Sequence, residues 1–166
     1  MATTPTTLAD PLAALEAAVV RIARAARATS DPDRVVTGDW SARLIVAHVV
    51  FWHESFARNV ADLAAGRRPS PVAGTYAALA ERTRDELGDL TIEALLERLV
   101  AAQAVIRRDI GARGIDVIPY RRGSRPYPPL EHLQVTRDHV ARHAAELERA
   151  GSRGDARRGR HAARGV

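Results

Sequence analysis

Histidine is the residue type best able to do chemistry in this chain, which has six histidines and no cysteine. In the last predicted helix, His132, His139 and His143 fall within about 40° of one another when residues are placed at 100° intervals. Residues four apart on a helix have Cβ atoms about 5–6 Å apart, so His139 and His143 can bind one metal ion together. His132 lies about 10 Å earlier along the helix axis and is too far away to share that ion.

His48 is the candidate third ligand, because it lies in the apolar run of residues 44–52. An unpaired buried imidazole costs about 1–3 kcal/mol, and a metal shared with the last helix would satisfy it. The alternative is that all three are ordinary core histidines bonded to carbonyls, since His-x-x-x-His pairs also arise in helices by chance. His53 lies about 140° around the helix from His48 and, with Glu54, is predicted to face a loop or solvent.

The elements that must position these residues are predicted to be helices. Asp10-Pro11 is typical of a helix start, and the first helix is expected to end near Thr29. Ser41 is predicted to cap a second helix, which Gly66 stops after about residue 65. A buried strand is the competing interpretation of residues 44–52, but polar residues continue beyond them at helical spacing, which favours a helix. Residues 30–39 are predicted to be a loop, and Trp40 is expected to pack on the end of the bundle.

The second half of the chain is also predicted to be helical. A short helix from Tyr76 to about Leu87 is followed by one that Thr91 caps, and the two could instead form one interrupted long helix. Residues 111–129 are too rich in proline and glycine to be helical, and loops of this length are often functional. Pro129 is predicted to open the last helix, which runs to about Ala150 with an apolar stripe formed by Leu133, Val140, Ala144 and Leu147.

Composition agrees with an all-α protein of one domain, because 46% of the residues are apolar and only 4% are aromatic. Residues 1–150 are predicted to form the bundle, and residues 151–166 a basic disordered tail with five arginines against Asp155. This tail lacks the interleaved aromatic residues typical of nucleic-acid binding, which argues against a nucleic-acid partner. No leader peptide or membrane span is recognisable, so we expect a cytoplasmic protein without a membrane partner.

A family resemblance joins these features. Trp40-Ser41, Ala47-His48 in an apolar helix, and His139-x-x-x-His143 in the last helix resemble the DinB/YfiT-like superfamily, over residues 12–150. This superfamily includes the N-terminal domains of mycothiol-dependent maleylpyruvate isomerases and the ClbS/DfsB resistance proteins. The resemblance implies a four-helix bundle and, as in many members, a divalent metal held by three histidines, here His48, His139 and His143. We expect no separate C-terminal domain like that of the full-length isomerases.

A metal on three neutral imidazoles keeps an open position and can activate a bound water or a low-molecular-weight thiol. The expected function is therefore that of a hydrolase or thiol transferase that uses Zn, Ni, Fe or Mn on a small electrophile, in detoxification or stress response. The alternative is a metal-free binding or self-resistance protein, as in some ClbS-like relatives. The expected partners are a small-molecule substrate and a second copy of the chain, because dimerisation often closes apolar bundle faces.

The substrate pocket is expected to form beside His48 and the long loop. The residues predicted to bind substrate there are Trp52, Tyr120, Arg122 and Tyr127. Arg121 and Arg125 could join Arg122 in binding an anion. The alternative is that these loop residues form a solvated turn.

Overall fold

The computed structural model describes residues 7–162, with side chains as far as residue 153. Within this range five helices and two short strands follow one another. They are α1 (Ala9–Arg27), β1 (Val35–Thr37), β2 (Trp40–Ser41), α2 (Ala42–Ala64), α3 (Tyr76–Leu87), α4 (Ile92–Asp109) and α5 (Pro129–Ala162). The prediction of an all-α bundle is confirmed.

The four long helices enclose one apolar core. Helix α1 packs along α5 and α2 packs along α4, while further contacts join α1 to α4 and α2 to α5. Helix α3 lies against α2 at the side of the bundle. All four long helices contribute large, fully buried side chains, among them Leu15, Ile22, Ile45, Leu95, Leu96, Leu99, Ile106, Leu133 and Leu147. Burial of this apolar surface is the main stabilising contribution, and it holds α2 and α5 in the arrangement that the site requires.

The predicted helix signals act as expected at several ends. Ser41 Oγ accepts a hydrogen bond from the Leu44 N–H at 3.2 Å, and Thr91 Oγ1 accepts one from the Ala94 N–H at 3.2 Å. Gly66, which follows the C-cap residue Ala65 of α2, has a φ of +69°. Because Thr91 caps a new helix, α3 and α4 are separate and do not form one long helix.

Three element boundaries differ from the prediction. Helix α1 begins at Ala9, so Asp10 lies in its first turn and is not its cap. Residues 30–39, predicted to be a loop, contain β1, which pairs antiparallel with β2 around Gly38. Helix α5 does not end near Ala150 but continues to Ala162. The division into a bundle of residues 1–150 and a basic tail stays a prediction, and residues 163–166 of that tail lie outside the described residues.

The long loop between α4 and α5 is held against the bundle. Ile118 and Tyr127 exchange backbone hydrogen bonds of 2.7 and 3.0 Å, which close the loop into a narrow antiparallel bridge. The Ile118 side chain is fully buried, and Asn59 Nδ2 donates to the Pro119 carbonyl at 3.0 Å. The loop therefore has a defined position relative to α2. Among residues 7–162, no helix is both long and apolar enough to cross a membrane.

Candidate metal centre

Three histidine side chains converge between α2 and α5. Nε2 of His48 lies 3.0 Å from Nε2 of His139, which in turn lies 3.2 Å from Nε2 of His143. The candidate ligand atoms of all three residues lie within 4.8 Å of one another. The fold thus brings together the three residues that were predicted from the sequence as candidate metal ligands.

The nitrogen spacing fits a single shared ion. Bonds of about 2.0–2.1 Å from imidazole nitrogens to a transition metal place neighbouring ligand nitrogens about 2.8–3.4 Å apart, for octahedral through tetrahedral angles. The two measured separations, 3.0 and 3.2 Å, fall inside this interval. A neutral imidazole has one N–H and one lone pair, so three Nε2 atoms directed at one point cannot all satisfy one another. A cation at that point would accept all three lone pairs.

A carboxylate contacts the ring of one candidate ligand. His143 Nδ1 lies 2.8 Å from Glu146 Oε2, one helical turn further along α5. An N–H on Nδ1 that donates to this carboxylate leaves the Nε2 lone pair free for a metal, an arrangement common among metal-binding histidines. Glu146 was not predicted as a site residue, although its position three residues after His143 places it on the same helix face.

The two ring nitrogens of His48 have different surroundings. Nδ1 of His48 is buried and has no hydrogen-bond partner among the described residues, whereas Nε2 points at His139. Nε2 is therefore the nitrogen of His48 that is placed to act as a ligand.

Burial keeps two of the imidazoles neutral. Loss of hydration lowers the pKa of His48 to about 4, and the neighbouring His143 and Arg142 act on it in the same direction. The pKa of His139 is lowered to about 2, first by burial and then by His48, His143 and Arg142. Metal ligands must be unprotonated, so these residues are ready to bind a cation at neutral pH.

A cleft of about 330 Å³ opens beside the histidines. It is lined by Thr37, Trp40, Ile45, His48, Arg142, His143 and Glu146. The β1–β2 hairpin, absent from the prediction, supplies the wall formed by Thr37 and Trp40. Two larger surface grooves of about 550 and 470 Å³ run along α4, and their described lining includes no histidine.

Trp40 forms the outer wall of this cleft. Its ring lies edge-on to His48, with 5.4 Å between the ring centroids, and the Arg84 guanidinium lies 4.7 Å above the Trp40 ring. Trp40 is partly buried against the core, as a residue at the entrance to α2 was expected to be.

The aromatic residues predicted to bind substrate form a row that starts beside His48, and they are not among the described residues that line the cleft. Trp52 is 8% exposed, and its ring centroid lies 6.5 Å from that of His48. Tyr120 stacks on Trp52 at 4.8 Å, and Tyr127 meets Tyr120 edge-on. Burial raises the pKa of Tyr120 to about 12, so its hydroxyl stays protonated. This row leads from His48 to the long loop, and a substrate role for its residues stays a prediction.

The loop arginines have other surroundings. Arg121 donates to the Gly74 carbonyl at 2.8 Å, with its guanidinium 4.8 Å from the centre of the Tyr76 ring. Arg125 forms an ion pair with Glu131. Arg122 is exposed and is not among the residues that line the cleft, so its predicted contact with substrate stays a prediction. The arginine that does line the cleft is Arg142, which the sequence argument did not single out.

Two other histidines lie in the core. His132 is 1% exposed and stacks on Phe56 at 3.8 Å, outside the group of three candidate ligands as predicted. The prediction that His53 faces a loop or solvent is wrong, because it is 1% exposed and its Nε2–H donates to Gln103 Oε1 at 2.7 Å. Helix α2 packs against α4 as well as α5, so the side turned away from His48 is also buried. His161 lies beyond the described side chains.

Comparison with known proteins gives a likeness in fold. Neither protein-family models nor curated protein sequences match this chain. Among solved structures, the crystal structure of the mycothiol-dependent maleylpyruvate isomerase is similar, with a TM-score of 0.69 and 15% sequence identity. The similarity covers 88% of this chain and 63% of that one. The two proteins therefore share a helical-bundle fold, and this chain spans less than two thirds of the isomerase chain.

Proposed function

We propose that this chain is a DinB/YfiT-like, divalent-metal-dependent enzyme that directs a small nucleophile, water or a low-molecular-weight thiol, at a small electrophilic substrate. The observation that carries the proposal is the convergence of three imidazole Nε2 atoms at separations of 3.0 and 3.2 Å. The order of Trp40-Ser41, His48 and His139-x-x-x-His143 along the chain, together with the fold shared with an isomerase, supports the same proposal.

His48, His139 and His143 would hold the ion as neutral ligands, and Glu146 would keep the His143 ring turned toward it. When bound, a divalent ion on three imidazoles supplies an open position and lowers the pKa of a water or thiol placed there. The chain has no cysteine, so a thiol nucleophile must come from a small molecule. The isomerase of similar fold is mycothiol-dependent, and this favours a thiol as co-substrate here.

The surroundings of the histidines suit a small substrate. At about 330 Å³ the cleft is near the lower end of the range of small-molecule sites, which is about 300–1,000 Å³. Trp40 and Ile45 give it apolar surface, and Trp52 lies behind His48. Such walls exclude water from a reactive electrophile. The proposed physiological role is detoxification or stress response in the cytoplasm.

Metal content tests this function. Untagged protein purified without nickel resin should contain close to one equivalent of a divalent ion by elemental analysis. Because three ligands act as one unit, His48→Ala, His139→Ala and His143→Ala should each lose most of it. The matched control is His132→Ala, because His132 is on the same helix but outside the cluster. The thermal midpoint of this variant should fall, since a stacked core ring is removed. Its metal content should stay at the wild-type value.

The proposal is wrong if folded wild-type protein supplied with Zn²⁺, Mn²⁺, Fe²⁺ or Ni²⁺ binds none of them stoichiometrically. The three histidines would then be core residues. The alternative of a metal-free protein that captures a reactive metabolite would take its place, and binding of an electrophile without turnover would identify it.

A further inference from the structure

We propose that the outer face formed by α1 and α4 is the contact surface of a two-fold symmetric homodimer, in which α4 of one protomer lies antiparallel on α4 of the other. Helices α1 and α4 are neighbours in the bundle, whereas the three histidines lie between α2 and α5. The proposed contact is therefore on the opposite side of the bundle from the candidate metal centre, and dimerisation leaves both clefts accessible.

The centre of this face is apolar. The groove of about 550 Å³ between α1 and α4 is lined in part by Val19, Val20, Val100 and Ala104. Val20 on α1 and Val100 on α4 are each 58% exposed. Single exposed apolar residues are common on protein surfaces, but two that line one groove form a larger patch, and such patches are typical of contact surfaces.

Charged residues lie toward the two ends of the face in an alternating arrangement. At one end, Arg107 Nη1 donates to Glu16 Oε1 at 3.1 Å. At the other end, Arg27 donates two hydrogen bonds of 3.0 Å to the Glu93 carboxylate. The two helices are thus antiparallel, and each has an acid in its N-terminal half and an arginine in its C-terminal half.

This arrangement makes α4 complementary to a second copy of itself. Glu93 and Arg107 are each seven residues from Val100, about 10.5 Å along the helix axis and nearly two full turns away, so all three lie on one side of α4. A two-fold axis that passes beside Val100 and crosses the helix places Glu93 of each protomer opposite Arg107 of its partner. A homodimer with two-fold symmetry requires such a match, because the same patch forms both sides of the contact.

Helix α1 repeats the pattern. Glu16 and Arg24 are each four residues from Val20, so the same axis places each Glu16 opposite Arg24 of the partner. Glu16, Val20 and Arg24 share one side of α1, because residues four apart are neighbours on a helix surface. The proposed contact therefore has an apolar centre with opposite charges paired at both ends.

The second groove along α4 does not have this property. It lies between α2 and α4, and its acidic lining residue, Glu54, is bonded to Arg98. The described charged residues of its lining are Glu54, Arg58, Arg98 and Arg108. Two copies of a surface with this excess of arginine would repel each other, so the charges favour the face of α1 and α4.

Sedimentation equilibrium of the full-length protein tests the proposal. In a series from about 5 to about 500 μM, the average mass should rise from the 18.0 kDa of one chain toward twice that value. Val100→Glu places two carboxylates near the two-fold axis and should raise the dissociation constant by at least about tenfold. The variant should keep the helix content of wild type by circular dichroism, because Val100 is largely exposed.

Ala101→Glu is the matched control. Ala101 is the next residue of α4, is exposed, and lines the groove between α2 and α4. The substitution adds the same charge to the same helix, about 100° away from Val100. Its dissociation constant should stay within about twofold of wild type.

An exchange of charges tests the proposed two-fold axis. Glu93→Arg and Arg107→Glu should each weaken the dimer, because each places like charges opposite one another. The double variant brings opposite charges together again and should dimerise more tightly than either single variant. If the two residues acted only within one chain, the double variant would be no better than the single ones, since it loses both in-chain ion pairs.

The proposal is wrong if wild-type protein keeps the mass of one chain throughout the series. It is also wrong if Val100→Glu dimerises as wild type does, if Ala101→Glu weakens the dimer equally, or if the double variant is no better than the single ones. A monomer that binds an apolar fluorescent dye, and loses that binding on Val100→Glu, would show that the groove takes a small apolar molecule instead. Metal content measured on the same samples should be independent of all these results, so the proposed function is tested separately.

Discussion

The bond between His143 and Glu146 allows a graded test of the metal centre. Nδ1 of His143 lies 2.8 Å from Glu146 Oε2, and the two side chains are only 13% and 23% exposed. Glu146→Gln keeps a carbonyl oxygen that can accept the same N–H but removes the charge. Glu146→Ala removes both the charge and the acceptor. The pair of variants therefore separates the orientation of the ring from its electrostatic support.

The expected sizes follow from hydrogen-bond energies. A hydrogen bond to a charged group contributes about 1.5–3 kcal/mol and one between neutral groups about 0.5–1.5 kcal/mol. The glutamine variant thus loses about 1 kcal/mol, which weakens metal binding by about fivefold to about tenfold. The alanine variant loses the whole interaction, and its metal affinity should fall by about tenfold to about a hundredfold, as is usual for partners that orient a ligand.

Competition with a chromophoric chelator for Zn²⁺ measures these affinities. Glu148→Gln is the control, because Glu148 lies on the same helix but pairs with Arg21 at the surface, and its variant should bind Zn²⁺ as wild type does. If Glu146→Ala binds Zn²⁺ within twofold of wild type, Glu146 does not orient a ligand, and the assignment of His143 Nε2 to the metal loses its support.

Three further predictions concern stability. Burial lowers the pKa of His53 from 6.5 to about 4, so between these pH values the unfolded chain binds more protons than the folded protein, and the free energy of unfolding falls as the pH drops. His53→Gln should therefore make the loss of unfolding free energy between pH 7 and pH 4 smaller by about 3 kcal/mol. Urea unfolding of metal-free protein at the two pH values measures this difference. Trp40 is only partly buried, so Trp40→Ala should cost about 2 kcal/mol in urea unfolding, below the about 3–5 kcal/mol of a fully buried tryptophan, and a cost in that higher range would contradict the partial burial. Truncation after Ala150 should leave the thermal midpoint almost unchanged because residues 151–153 are exposed, and a fall of several degrees would show that the segment is docked.

The helices and the identity of the three candidate ligands could be predicted because their determinants are local. A cap such as Ser41 or Thr91 acts on an N–H three residues away, and the separation of His139 from His143 follows from helix geometry alone. His48 became the third candidate because an imidazole in an apolar helix is expected to be buried, and a buried imidazole needs a hydrogen-bond partner or a metal ion. The structure brings these three side chains to one point.

The burial of His53 and the position of the β1–β2 hairpin could not be predicted, because both depend on contacts between distant segments. Helical periodicity describes the faces of one helix, but burial depends on how many neighbours that helix has, and α2 has enough of them to bury His53 as well as the face of His48. The β1–β2 hairpin is too short for a strand pattern, so its place as a wall of the cleft emerged only from its packing.

The choice among the arginines was likewise a tertiary one. All of the basic residues are arginines, and the sequence alone does not tell which of them are near an acid. Folding pairs Arg125 with Glu131 and leaves Arg142 beside the histidines without an acidic partner among the described residues. The strength of an ion pair depends on the distance between two charges, and for segments separated in sequence that distance is set by the tertiary structure.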